Sequence, residues 1–199
     1  MNLPNKLTIL RILLVPIMVV IPFFNIQGEL WGIPISYLII DFIFIIAALT
    51  DKLDGTIARS RNQITTFGKF LDPIADKIVV VTAMIMLVEF GHLPAWIPII
   101  VILREFIVSG YRLVAVQKNG NVIAANFWGK LKTASQMVAI ILAFIDPNPF
   151  GTIFNGELTG YSFVINLVVT LIMSVSVVAT IFSGWEYIKG GKDLFKDSI

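Results

Sequence analysis

Apolar residues run through the chain in six long blocks, and short polar segments between them hold most of the charge. Crossing a bilayer takes about 20 largely apolar residues in a helix. The pattern predicts spans at roughly 8–25, 34–58, 68–89, 94–117, 130–146 and 161–187. Residues 1–8 carry one charge, Lys6, and are expected to form a short interfacial segment before the first span. The first block does not read as a secretory signal, because Arg11 sits within it and no small-residue cleavage site follows before Trp31. Pro4, Pro94 and Pro98 fall near helix starts, where a missing N–H costs little. Pro16, Pro22 and Pro73 fall in or beside spans and are expected to kink them.

Composition strengthens this picture. Of 199 residues, 57% are hydrophobic and 14% charged, and the mean hydropathy is +0.87. Soluble domains are about half apolar and roughly a quarter charged. The expected fold class is therefore an all-α integral membrane protein, six transmembrane helices in a single domain over residues 1–199. There is no cysteine, so disulfides and thiolate metal sites are excluded. A net charge of +2 gives no case for nucleic acid as a partner.

The placement of charge matters more than its sum. The segments NIQGELWG, EFGHLPA and IDPNPFGTIFNGELTG contain no lysine or arginine. The alternate segments hold Lys6, then Arg59, Arg61 and Lys69, then Lys118, Lys130 and Lys132, then Lys189, Lys192 and Lys196. Basic loops face the cytoplasm, which puts both termini and the 59–69 and 118–132 segments there, in a multi-pass cytoplasmic (inner) membrane protein.

Four carboxylates then stand out in DKLDGTIARSRNQITTFGKFLDPIAD, residues 51–76. On a helix, Asp51, Asp54, Gly55 and Ala58 share one stripe, and Gly68, Asp72 and Asp76 recur at intervals of four on the next. The second span descends to the cytoplasm and the third rises from it, so the stripes are able to face each other. Aspartates at a helix end commonly cap it or stay in water. Four brought together need a proton or cations, and hard oxygen ligands suit magnesium, manganese or calcium. Two divalent ions bridged by carboxylates suit phosphoryl chemistry. A divalent-cation transporter is the competing class, but its ligands would sit near the bilayer midplane rather than at one boundary. Asp41, alone within span two, is either functional or satisfied by a buried partner.

The pattern D-x2-D-G-x2-A-R-x8-G-x3-D-x3-D, met at Asp51, Asp54, Gly55, Ala58, Arg59, Gly68, Asp72 and Asp76, resembles the signature of the CDP-alcohol phosphotransferase family. The resemblance implies a six-span homodimer that displaces CMP from a CDP-linked alcohol with two Mg2+ or Mn2+ ions. It implies metal binding by Asp51, Asp54, Asp72 and Asp76, with Asp76 also the general base. It places Asp54, Gly55, Ala58, Arg59 and Gly68 against the CDP moiety. In PNKLTILR, Asn5, Thr8 and Arg11 lie near the cytoplasmic boundary, where a nucleotide would be held, although helix capping is an equal reading for Asn5 or Thr8.

The family's acceptors include glycerol 3-phosphate, inositol phosphate, serine, choline and ethanolamine. The fourth span, with ILREFIVSGYRL, places Arg104 and Arg112 in apolar sequence, where an unpaired arginine is costly. Arg104 either pairs with Glu105 or an aspartate, or helps hold an anion. Lys130 and Lys132 open the fifth span. Arg104, Arg112, Lys130 and Lys132 together would surround a phosphate. These stretches and PNKLTILR are similar to the branch of the family that joins CDP-diacylglycerol to sn-glycerol 3-phosphate. The inositol-phosphate branch is the nearest alternative. The last span carries no distinguishing feature of its own.

Overall fold

In a computed structural model, the chain is described over residues 2–60, 66–117 and 127–190. Six long helices account for the six blocks: α1 Leu3–Val20, α2 Ile35–Ser60, α3 Thr66–Glu89, α4 Trp96–Gln117, α5 Phe127–Ile145 and α6 Gly160–Gly190. By length and apolar composition alone, Asn5–Phe24 and Gly160–Gly190 are long and apolar enough to cross a membrane. The other four carry more charge within their length, and much of it turns inward.

The expected interfacial segment is corrected. Residues 3–8 are the first two turns of α1, Asn2 is its N-cap, and Asn5 and Thr8 are buried. Pro4 falls in the first turn, where it costs no hydrogen bond. Pro16 and Pro73 lie inside continuous helices, and Pro22 sits in a 3-10 turn, Ile21–Phe24, that follows α1.

The α1–α2 connection, expected as a plain loop, contains a small antiparallel hairpin. Strands β1 (Glu29–Leu30) and β2 (Ile33–Pro34) pair Glu29 with Pro34 and Leu30 with Ile33. The two turn residues, Trp31 and Gly32, have φ of 56° and 78°. Two successive left-handed residues suit the right-handed twist of a two-residue hairpin.

The helices carry apolar residues on their outer faces as well as in the core, and enclose several polar groups. Met18, Ile40, Phe44, Met84, Leu87, Ile97, Ile140, Phe144 and Met173 are fully enclosed. So are Arg11, Gln136, Asp146, Asn166, Ser176, Thr180 and Ser183, each polar. On the outside stand Leu13, Phe42, Ile85, Phe106, Val138 and Leu171, one exposed apolar residue from each helix in turn. Soluble surfaces rarely carry contiguous apolar patches of that extent. Asp41 is buried within α2, and its Oδ1 meets no hydrogen-bond partner among the described residues.

Helix α1 lies against α2 and α3, while α6 lies against α5 and α4. Helices α3 and α4 meet sparsely, which leaves space between the two groups. At the end opposite that space, the α5–α6 connection is tied down by one buried carboxylate. Asp146 accepts hydrogen bonds from the Asn148 backbone at 2.9 Å and from Asn166 Nδ2 at 2.7 Å. Asn166 in turn accepts from the Ile153 backbone at 3.0 Å. Replacing Asn166 with leucine strands both groups, and a buried unsatisfied partner costs about 1–3 kcal/mol. Thermal unfolding in detergent is expected to show the variant several degrees less stable; an unchanged midpoint would remove this tie from the fold's support.

Candidate active site

Helices α2 and α3 carry the aspartate stripes and pack against each other, with α1 across both. The side chains of 52–60 lie outside the described residues, and with them the expectations for Asp54, Gly55, Ala58 and Arg59. The remaining members are in view. Gly68 is buried, and Asp51, Asp72 and Asp76 are partly buried.

Helix α1 meets two of these carboxylates. Thr8 Oγ1 donates to Asp72 Oδ1 at 2.6 Å. Arg11 Nη1 stands 2.9 Å from Asp51 Oδ1, with Arg11 only 1% exposed. Both residues face α2 and α3 because they are three apart in a helix, on one face. The capping alternative for Asn5 and Thr8 falls away, since both lie inside the helix and Thr8 spends its hydroxyl on Asp72. Sequence reasoning missed the Arg11–Asp51 pair, although a charge inside an apolar first span was its signal.

Asp76 lies within electrostatic reach of Asp51 and Arg11 on one side, and of Lys132 and Glu105 on the other. It therefore joins the aspartates to a second feature, a cavity of about 230 Å³ between α3, α4, α5 and α6. Among the described residues no three His, Asp or Glu side chains form a group that holds a metal ion. Carboxylate oxygens such as those of Asp51, Asp72 and Asp76 are the hard ligands that divalent cations take, and Arg11 and Thr8 hold the side chains of Asp51 and Asp72.

The cavity is lined by Asp76 and Lys77 from α3, Arg104, Glu105 and Arg112 from α4, Lys132 from α5 and Tyr187 from α6. Its cations are held by named contacts. Glu105 Oε1 accepts from Arg104 Nη1 at 2.8 Å and from Lys132 Nζ at 2.7 Å. Lys77 Nζ is 3.8 Å from Glu105 Oε2 and donates to Ser109. Arg104 Nη2 donates to Ser183 at 2.5 Å, and Arg112 Nη2 donates to the Tyr187 hydroxyl at 2.8 Å. Both guanidinium groups stand over the Tyr187 ring, at 5.8 Å and 5.5 Å from its centre. Small residues in α6 permit this approach, since a Cβ on Gly184 would meet Arg104 Cγ at 3.4 Å. Arg104 Nε is buried and unpaired among the described residues, so one donor is unused.

Of the four basic residues expected around a phosphate, Arg104, Arg112 and Lys132 meet here. Lys130 does not: it is exposed and stands apart from the cavity lining. Residues two apart on a helix point about 200° from one another, so Lys130 and Lys132 cannot share a face. Lys77, Ser109 and Tyr187 were not foreseen. Tyr187 belongs to the helix that reads as featureless in the sequence, and its partners lie some 75 residues earlier in the chain.

Residues 1–182 match the family described as CDP-alcohol phosphatidyltransferase. The chain is 42% identical to the CDP-diacylglycerol--glycerol-3-phosphate 3-phosphatidyltransferase of Bacillus subtilis (strain 168), over 99% of this chain and 98% of that protein. It is 35% identical to the Haemophilus influenzae protein of the same name, over 100% of this chain and 97% of the other. A Pseudomonas fluorescens protein, again so named, is 38% identical over 83% of this chain and 82% of its own length. Matched along nearly its whole length, and carrying the spaced aspartates beside a basic cavity, the chain belongs to the CDP-alcohol phosphatidyltransferase family.

Proposed function

We propose that the chain transfers the phosphatidyl group of CDP-diacylglycerol to sn-glycerol 3-phosphate, giving phosphatidylglycerophosphate and CMP. The activities named for its relatives support this reaction. One structural observation carries the choice of acceptor: four cationic side chains, Lys77, Arg104, Arg112 and Lys132, line the cavity with two carboxylates, Asp76 and Glu105. That is an excess of two positive charges, which suits a phosphomonoester bearing nearly two negative ones. Choline and ethanolamine carry no anionic group to neutralise it, and serine's one carboxylate is balanced by its own ammonium.

The chain spans the cytoplasmic membrane six times as a homodimer, with its termini and active site on the cytoplasmic side. Apolar outer faces on all six helices and the lysine and arginine asymmetry support the placement. The acyl chains stay in the bilayer while the headgroup meets the soluble acceptor at the boundary.

Members of the family are generally metal-dependent. Asp51, Asp54, Asp72 and Asp76 would hold two divalent cations, Mg2+ or Mn2+, which when bound neutralise charge developing on the pyrophosphate. Asn5, Thr8, Gly55, Ala58, Arg59 and Gly68 would border the CDP moiety, with Thr8 acting through Asp72. Arg104, Arg112 and Lys132 hold the acceptor's phosphate as charged donors. A hydroxyl oxygen of the acceptor then bonds to the phosphorus that carries diacylglycerol. The bond from that phosphorus to the CMP oxygen breaks, and the hydroxyl proton passes to Asp76. A base must reach that proton directly or through one water, and Asp76 is suited to this because it borders the cavity itself.

Asp72→Asn is expected to insert normally and to lose activity by about 10²-fold or more, the scale of a key catalytic group. Removal of divalent cations by EDTA should abolish CMP release, with recovery on adding Mg2+ or Mn2+. Substantial turnover in EDTA would sink the metal-dependent reading.

For the acceptor, Arg112→Ala and Lys132→Ala are each expected to raise the glycerol 3-phosphate KM by about 10- to 150-fold, from the loss of a charge-assisted bond. The KM for CDP-diacylglycerol should change little. Inositol phosphate outcompeting glycerol 3-phosphate in the wild-type protein would keep the family and change the acceptor.

Sidedness is checked with single cysteines in this cysteine-free chain. An impermeant thiol reagent should reach Asn62→Cys and Asn121→Cys from the cytoplasm, and Gln27→Cys and Asn155→Cys from outside. The opposite labelling would place the aspartates away from cytoplasmic CDP-lipid.

A further inference from the structure

The acceptor's phosphate pocket is not an open ring of cations. A single carboxylate oxygen, Glu105 Oε1, holds both Arg104 at 2.8 Å and Lys132 at 2.7 Å. The other oxygen faces Lys77 at 3.8 Å. Glu105 thus meets cations from three helices, α3, α4 and α5, at the place where a phosphate would meet them. Its side chain is 16% exposed, so solvent weakens these contacts little.

Two effects of such a carboxylate compete. It orders the cations and holds them together against their mutual repulsion. It also occupies their donors, so an incoming phosphate has to share or displace it. The contacts decide between the two. Arg104 keeps its place without Glu105, through Ser183 at 2.5 Å, the Tyr187 ring and the close backbone of Gly184. Arg112 is held by Tyr187 and Lys77 by Ser109, independently of Glu105. Lys132 is 7% exposed, so burial limits its stem, while its ammonium donates to Glu105. Ordering of Arg104, Arg112 and Lys77 is therefore supplied elsewhere, and for these three cations competition is the larger effect.

We propose that Glu105 is a turnover-setting residue: an internal counter-anion that fills the empty pocket and weakens its hold on phosphate, so that a product still carrying that phosphate can leave. The role rests on the acceptor reading above. It explains why the cluster carries its own acid where the cations alone would bind phosphate more tightly. Tight binding of the ground state and product alike lowers KM without raising the rate of the chemical step.

The test uses the full-length protein in detergent or nanodiscs, with CDP-diacylglycerol and inorganic phosphate as an inhibitor competing with glycerol 3-phosphate. Glu105→Gln keeps the shape and removes the charge. The inhibition constant for inorganic phosphate should fall about tenfold, the scale of removing one charge beside a partly screened dianion. The glycerol 3-phosphate KM should fall with it. The turnover number should drop, with a burst of CMP in the first cycle marking slow product release. A merely structural role would instead raise KM and leave no burst. Glu105→Asp keeps the charge but withdraws it by one methylene, and should shift the same constants in the same direction by less; it serves as the readout if Glu105→Gln fails to fold. Unchanged or weaker phosphate inhibition, with Lys132→Ala still raising acceptor KM, overturns the role of Glu105 and leaves the pocket standing. An unchanged acceptor KM in Lys132→Ala overturns the pocket and this role with it.

Discussion

A charge placed among apolar helices has to be met by an opposite charge or by hydrogen bonds, because the surroundings offer no water to do it. This protein satisfies that constraint by tying its helices together through the site. Arg11 of α1 meets Asp51 of α2, Thr8 of α1 meets Asp72 of α3, and Glu105 of α4 meets Lys132 of α5 and Lys77 of α3. Ser183 and Tyr187 of α6 close the circuit on the two arginines of α4. Every long helix contributes to a polar interior most of whose charged groups are paired, buried Asp41 Oδ1 and Arg104 Nε being exceptions among the described residues. The same contacts that settle burial also fix the directions of the charged groups around the cavity.

Helix α1 shows how much of the site is support. Neither Thr8 nor Arg11 has to touch a substrate to matter, since each holds one oxygen of an aspartate that otherwise has two free to turn. Carboxylates that are to face a cation or a hydroxyl need that restraint, in the way that partners behind a metal ligand orient it. An apolar first helix would dock against α2 and α3 just as well for packing, but it would leave Asp51 and Asp72 unrestrained.

The six helices were legible because outward-facing and core-facing positions are both largely apolar, so each reads as one long, mostly apolar block. The same fact hid the packing: with apolar residues on every side, periodicity does not tell which face turns inward. Lys130 and Lys132 show the limit. Their adjacency suggested one basic pocket, yet a helical turn sets them on opposite sides, and the burial of Lys132 is what selects it. The Trp31–Gly32 hairpin escaped because neither of its strands exceeds two residues, too short to alternate. Tyr187 escaped because its role arises from helices that meet only in three dimensions. The aspartates were legible for the opposite reason: their spacing is a property of single helices, and a stripe survives whatever packs against it.

Asp76 and Lys77 are consecutive in α3, and both border the cavity. On the proposed reaction, one helix would carry the proton acceptor and a cation of the acceptor pocket side by side, coupling where the acceptor's phosphate rests to where its hydroxyl is deprotonated. A phosphate held by α4 and α5 alone would leave the hydroxyl free to swing relative to α3. With Lys77 of α3 bonded to Ser109 of α4 and Lys132 of α5 buried beside them, the three helices share a reference. Proximity of this kind accounts for much of what an enzyme gains when little covalent chemistry is asked of its side chains. On that reading, the polar interior that makes the helices cohere would also determine which hydroxyl reacts.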